Sequence, residues 1–342
     1  MDFSFASHNN SWWLDEAGLR KLMETLEYIM PRVLITGASG LLGGNLLYLL
    51  PQTWEILGLA NHAYLNPSFA RINVRRANLF SWKNEIEINA FLHDFEPAVI
   101  IHCAALTNVD KCEIDRAEAH ELHVEVTKSI AAYSASNNVH LVHIYTDHIF
   151  DGEKGGYAET DQPQPLNYYA QTKWEAEKAV LESGAEAAIV RTNFFGFNVQ
   201  EKNDLAGWIL DSLKDQKPLR LFTDVIYSPI LVNTLVLMIK RIIDEHTTGT
   251  YHIGSHDSCS KYKFGMELAQ AFGFDTKTIT PISIDQSDLK VRRPKNMSLD
   301  VIKFEKVLSE RLPTVDESIR EYKRLHDEGY QQKLRRNLKA IS

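Results

Sequence analysis

Thr36-Gly37-Ala38-Ser39-Gly40-Leu41-Leu42-Gly43-Gly44 is the stretch on which the reading of this chain turns. It follows an apolar run, Arg32–Thr36, that reads as a strand, and it opens a run, Gly40–Leu50, that reads as a helix. Glycines at such a junction allow a tight turn and let the backbone approach a pyrophosphate closely, and the helix N-terminus then stabilises the negative charge. A glycine triplet alone is weak evidence, because a plain turn also uses one. The strand–turn–helix context is what favours a dinucleotide site. Gly37, Ser39, Gly40, Leu41, Leu42 and Gly43 are the cofactor-binding candidates of this loop.

Outward from the loop, short β-branched runs alternate with helical stretches. Trp54–Ala60 reads as the second strand, Arg71–Arg75 as a short third, and Ala98–Cys103 as a fully apolar strand of a sheet covered on both faces. A long helix is expected from Ile114 to Asn137, then a strand His140–Tyr145, a helix Asn167–Leu181, a strand Ala187–Arg191 and a core helix Leu231–Ile243. This alternation predicts an α/β fold, a Rossmann-type doubly wound parallel sheet with a smaller C-terminal substrate-binding lobe. The expected division gives 30–193 to the cofactor domain, completed by 231–255, and 194–230 with 256–335 to the lobe. Residues 1–29 differ in composition, with Trp12 and Trp13 adjacent. They read either as a dispensable extension before Met30 or as a helix docking its tryptophans on the body.

The 342 residues carry a formal charge of −8, which argues against a general nucleic-acid binder. Three cysteines cannot make a disulfide framework, and no Cys-x-x-Cys pair is present to suggest a zinc ribbon. No apolar run approaches the roughly 20 residues that span a bilayer, and the first residues lack an apolar signal core. A cytoplasmic protein without membrane or nucleic-acid partners is expected; the oligomeric state stays open, with a homodimer one alternative. His120 and His123 have i,i+3 spacing and read as a helix-surface pair. His140 and His143 read as lying on opposite faces of a strand, and no metal site is expected from either pair.

The end of the second strand bears on cofactor choice. An acid there would bond a ribose 2′-hydroxyl and repel a 2′-phosphate, but the sequence reads Leu59-Ala60-Asn61-His62, and no Asp or Glu occurs between Glu55 and Glu85. Arg71, Arg75 and Arg76 fall in that interval. NADP(H) is favoured and NAD(H) stays open, the bland reading being that these arginines are merely solvated. Downstream, Tyr169-Ala170-Gln171-Thr172-Lys173 puts a phenol and an ammonium on one helix face. A nearby cation favours phenolate and would lower the tyrosine pKa, which suits a proton donor to a carbonyl oxygen. Tyr145-Thr146-Asp147 ends the preceding strand and would reach the same cleft.

Together these residues resemble an extended short-chain dehydrogenase/reductase, and the likeness narrows further. Ile101-His102-Cys103-Ala104-Ala105-Leu106-Thr107-Asn108-Val109-Asp110-Lys111-Cys112-Glu113 is similar to the "NAAAxTxVDxAE" signature of dTDP-4-dehydrorhamnose reductases. Thr146–Gly152 resembles their "STDYVFDG", and Pro165–Tyr169 with Lys173 resembles "PxNxYGxxK". Arg191-Thr192-Asn193 is similar to "RTS", and Arg293–Asn296 with Leu299-Asp300 to "RPxNSxLD". The likeness runs from about Met30 to Asp327. It implies catalysis by Thr146, Tyr169 and Lys173, and cofactor contacts also at Asn61, His62, Asn78, Leu79, Cys103, Ala104, Ala105, Leu106 and Tyr145. Substrate contacts are implied at Asp147, His148, Asn193, Phe194 and Arg293. Cys103 is expected beside the cofactor and not as a nucleophile.

The departures concern the substrate. His148 stands where the family has a tyrosine, Phe194 where it has a tryptophan, and Tyr227 where it has a glycine. The expected activity is therefore NADP(H)-dependent reduction of a nucleotide-linked 4-keto-6-deoxy sugar, with sugar and base open. Two other readings stand beside it. The family includes a non-catalytic relative, the regulatory subunit of methionine adenosyltransferase, which binds NADP and a partner enzyme. Epimerases and dehydratases of sugar nucleotides instead keep NAD bound and return the hydride.

Overall fold

The computed structural model describes residues 31–61, 64–82, 84–201 and 203–341. His62 and the extension before Met30 lie outside the described residues. Seven strands build the central sheet: β1 Arg32–Thr36, β2 Glu55–Ala60, β3 Ile72–Arg76, β4 Val99–His102, β5 His140–Thr146, β6 Ala187–Thr192 and β7 Gly249–Ile253. Their spatial order is β3-β2-β1-β4-β5-β6-β7, and every pairing is parallel. The order reverses between β1 and β4, the switch point where open α/β sheets place ligands. β4 and β5 are buried along their whole length, as a sheet covered on both faces requires.

The covering helices follow from apolar stripes and caps. α1 spans Leu41–Leu49, α2 Glu85–Leu92, α3 Val109–Ile114 and α4 Arg116–His120. After a single π-helical turn at Glu121–Glu125 come α5 Val126–Ser136 and α6 Tyr168–Glu182. The long helix expected over Ile114–Asn137 is present as the continuous run Arg116–Ser136 with the π turn inside it, and a short helix not expected, α3, precedes it across a break at Asp115. The break has a cause in Asp115, which ends α3 and caps the next helix by accepting from Glu118 N–H at 3.1 Å. The π turn also corrects the histidine pair. His120 stays half-exposed, whereas His123 is 1% exposed and faces inward.

Beyond β6 the chain forms α7 Leu205–Lys214, α8 Val232–Asp244, α9 Lys261–Phe272, α10 Ile302–Leu308, α11 Val315–Asp327 and α12 Tyr330–Leu338. α8 buries Val232, Leu235, Val236, Ile239 and Ile242, spaced three and four apart, against the core. The strand after it, β7, joins the central sheet beside β6. Short ladders hold the rest together: Leu219–Phe222 pairs with Ile279–Ile282, and Phe194–Phe195 with Ile230–Leu231. No described helix is long and apolar enough to cross a membrane, and the described residues include no group of metal-binding side chains.

Candidate active site

The glycine loop has no room for side chains. Gly37 has φ +69, and a Cβ there would lie 2.9 Å from Ala104 N; at Gly43 it would lie 2.2 Å from the Gly37 carbonyl oxygen. Glycine at 43 therefore lets the helix close on the turn. Gly40 caps α1 without a side-chain bond, and no acid sits in the first turn, so the helix start keeps free N–H donors and its positive pole. These features fit the diphosphate of a dinucleotide. Ser39 is held from across the fold, because the Gln200 side-chain amide donates to its carbonyl at 2.7 Å. At the second strand's end, Arg76 Nε donates to the Asn61 carbonyl at 3.0 Å, which brings one of the three arginines to the expected 2′-phosphate position. Asn78 caps the turn Leu79–Ser81 on that same side.

The loop Cys103–Leu106 leaves β4 half-buried and faces Gly37. Thr36 organises its start: the hydroxyl accepts from Cys103 N–H at 3.1 Å and Ala104 N–H at 3.2 Å. Thr36 also contacts His102 Nδ1 at 2.7 Å, and His102 in turn reaches Thr127 at 3.1 Å and stacks on His143. Burial pushes the Cys103 thiol far above its usual range, so the thiolate is disfavoured.

The candidate catalytic residues lie at the end of β5 and the head of α6. Asn167 caps α6 by accepting from Ala170 N–H at 3.0 Å. Tyr169, one residue into the helix, is buried beside Thr146. The ring is flanked edge-on by His123 at 5.7 Å and His148 at 5.9 Å. Lys173 is 3% exposed, its ammonium 4.8 Å from the Tyr145 ring centre and 3.5 Å from the Ile144 carbonyl. The expectation that Lys173 lowers the tyrosine pKa is corrected. Burial pushes the Tyr169 phenol up to about 12, with the nearby Thr146 hydroxyl pulling the other way. The phenol is thus the protonated form near neutrality, ready to donate. Burial lowers Lys173 to about 8.

Asp147 and His148 complete the floor. Asp147 is fully buried, accepting from Asn193 Nδ2 at 3.0 Å and from the Thr146 hydroxyl at 3.3 Å, and burial raises it to about 7. His148 Nδ1 is buried with no partner among the described residues. Burial, then the Lys261 and Arg293 charges, holds the His148 ring neutral. Lys261, at the head of α9, is a member of this cluster with no distinguishing mark in the sequence. Phe194 is half-buried beside Asn193, and Arg293 pairs with Asp110 at 2.8 Å across to α3. Arg292 and Lys295, the rest of the basic knot, pair with Glu153 and Asp285. Tyr168 points elsewhere, under the Arg116 guanidinium at 4.9 Å, where it lines a separate cavity of about 420 Å³ with Glu113, Lys290 and Arg292.

A parallel sheet in the order 3-2-1-4-5-6-7, with a glycine turn at its switch point and Thr, Tyr and Lys at one end, is the arrangement of an extended short-chain dehydrogenase/reductase. Within that class the chain belongs to the family described as RmlD substrate binding domain, matched over residues 31–326. It is 31% identical over 284 residues to methionine adenosyltransferase 2 subunit beta of Mus musculus, covering 80% of this chain and 81% of that one. It is 28% identical over 291 residues to the dTDP-4-dehydrorhamnose reductase of Aggregatibacter actinomycetemcomitans, covering 81% and 92%. The dTDP-4-dehydrorhamnose reductase of Bacillus anthracis str. Ames, solved in complex with NADP, superposes with a TM-score of 0.74 at 27% identity, covering 86% of this chain and 98% of that one.

Proposed function

We propose that this chain reduces a nucleotide-linked 4-keto-6-deoxy sugar with NADP(H), the cofactor in the Bacillus anthracis relative. The observation that carries the reading is the buried Tyr169 phenol, kept protonated, beside Thr146 and one helical turn from Lys173. A bound nicotinamide would supply the hydride to the keto carbon. Tyr169 gives its proton to the oxygen of that carbon as negative charge develops there, so that a C–H and an O–H bond form together. Thr146 donates a hydrogen bond to the same oxygen and polarises it. Lys173 holds the ribose side of the dinucleotide. Asp147, His148, Asn193, Phe194 and Arg293 orient the sugar nucleotide. Residues 30–193 with 231–255 form the cofactor half of this reading, and 194–230 with 256–335 the substrate half. The membership of β7 in the central sheet supports that division.

A second reading, a non-catalytic NADP-binding regulatory subunit, is favoured by one observation: the 31% identity to methionine adenosyltransferase 2 subunit beta. One experiment separates the two. Oxidation of NADPH, and of NADH in parallel, is followed against dTDP-, UDP-, GDP- and CDP-linked 4-keto sugars, using the parent, Tyr169→Phe and Tyr168→Phe. Reduction by the parent, with kcat lower by about 10²–10⁴ in Tyr169→Phe and little changed in Tyr168→Phe, is the expected result. Absence of turnover with every sugar, together with tight dinucleotide binding, supports the regulatory reading instead.

A further inference from the structure

We propose that His123 is the positioning residue that ties the dinucleotide-facing loop Cys103–Leu106 to the helix carrying Tyr169 and Lys173. The proposal rests on the reading above only in taking that loop and Tyr169 to face one site.

The bonding pattern determines the state of the ring. Leu106 N–H is an obligatory donor, and it points at Nε2 at 2.9 Å, so Nε2 carries no proton. The proton of the neutral ring is then on Nδ1, which faces the Thr172 hydroxyl at 2.8 Å. Thr172 in turn donates one shared hydrogen bond to the carbonyls of Tyr168 and Tyr169, at 3.1 and 3.0 Å. One relay therefore runs from the loop backbone through the imidazole to the main chain of the candidate proton donor. Burial keeps the ring neutral, with its pKa pushed down to about 3, so the relay keeps its direction through the physiological range.

Both imidazole nitrogens bond outside their own helical segment, one to the loop and one to α6. Any buried imidazole needs partners for its nitrogens; what marks this one is that its two partners belong to the two elements joined. The imidazole also stands edge-on to the phenol, with an interplanar angle of 82°, and so limits the tilt of Tyr169. The π turn at Glu121–Glu125 is what brings His123 inward, and such turns gather at functional sites. Proton donation tolerates little error in position, and a misplacement of about 1 Å can cost about 10²-fold in rate.

The test uses His123→Phe, which keeps a ring and loses both nitrogens, and His123→Gln, whose amide can still accept from Leu106 and donate to Thr172. NADPH affinity is measured by fluorescence titration, kcat and KM with the keto sugar that the parent reduces, and the unfolding midpoint alongside. His123→Phe is expected to weaken NADPH binding about 10-fold and to lower kcat 10- to 100-fold with KM for the sugar within about 3-fold. His123→Gln should recover most of both losses. In a Tyr169→Phe background the kcat effect of His123→Phe should shrink to within about 2-fold, because a residue acting through the phenol has nothing left to position. Unchanged NADPH affinity in a folded His123→Phe protein overturns the proposal, as does an equal kcat loss in both backgrounds. If His123→Phe does not fold, His123→Gln decides, and NADPH affinity and kcat both depressed about as far as the tyrosine variant's kcat would overturn the tether. If the parent reduces none of the sugars, the reductase reading fails while the affinity arm still decides the tether.

Discussion

Lys173 shows how burial and function pull apart at a single residue. In the proposed reaction its ammonium stands beside the cofactor, yet burial lowers its pKa from 10.5 to about 8. Between those values the unfolded chain binds a proton that the folded chain has released, so this lysine's cost to stability is full below pH 8 and falls away as pH rises. Dinucleotide binding should slope the other way, since the neutral amine no longer attracts the anionic ligand. NADPH affinity is expected to weaken several-fold as pH passes from 7 to 9. Titrations across that range in the parent and in Lys173→Met check this, and the variant should lack the step. The phenol of Tyr169, at about 12, stays protonated throughout. The Tyr-x-x-x-Lys spacing was legible in the sequence because i,i+4 neighbours meet on any helix. The sign of the tyrosine shift was not, because it depends on how deeply the helix is buried.

At the scale of elements, the C-terminal helix α12 reaches back toward the glycine loop. It lies beyond the family match, which ends at residue 326. Tyr330 bonds Asn45 of α1 at 2.8 Å, and Asn45 in turn donates to the Phe197 carbonyl at 2.8 Å. Arg335 donates to the Asn198 and Gln200 carbonyls, and the Gln200 side chain holds Ser39. The segment 196–200 is thus pinned over the glycine loop from both sides. Gln200→Ala and Arg335→Ala are each expected to weaken dinucleotide binding about 5-fold, the scale of one hydrogen bond near 1 kcal/mol. Unfolding midpoints should fall only slightly, and fluorescence titration reads the affinity. None of this was legible beforehand. Gln200 is 161 residues from Ser39, and nothing in the local sequence of either announces the contact. The break at Asp115 had a local signal, an aspartate able to cap, whereas the π turn inside the helix that follows had none.

For the whole molecule, the sheet order pairs β1 with β4 in a parallel ladder, and where that ladder ends the Thr36 hydroxyl accepts from Cys103 N–H, 67 residues away in the chain. Arg293 and Asp110 join the later part of the chain to α3 in the same way, at 183 residues' separation. The family match begins at residue 31, where the composition of the sequence also shifts. A chain starting at Met30 is therefore expected to fold and to bind NADPH as the full chain does. Its unfolding midpoint and NADPH affinity check this, and loss of soluble protein would show that the first residues pack on the body.

The sequence by itself determined the parts whose cause is local. Gly37 and Gly43 are required by a turn too tight for a Cβ, the buried runs of β4 and β5 announce a two-sided sheet, and Tyr169 with Lys173 follows from helical spacing. Tertiary structure alone decided which groups meet: His123 with Leu106 and Thr172, Asp147 with Asn193, Gln200 with Ser39. The physical reason is that backbone conformation is set largely by neighbours along the chain, while a site is a set of distances between residues far apart in it. Packing sets those distances, and burial then sets the protonation state of each group it encloses.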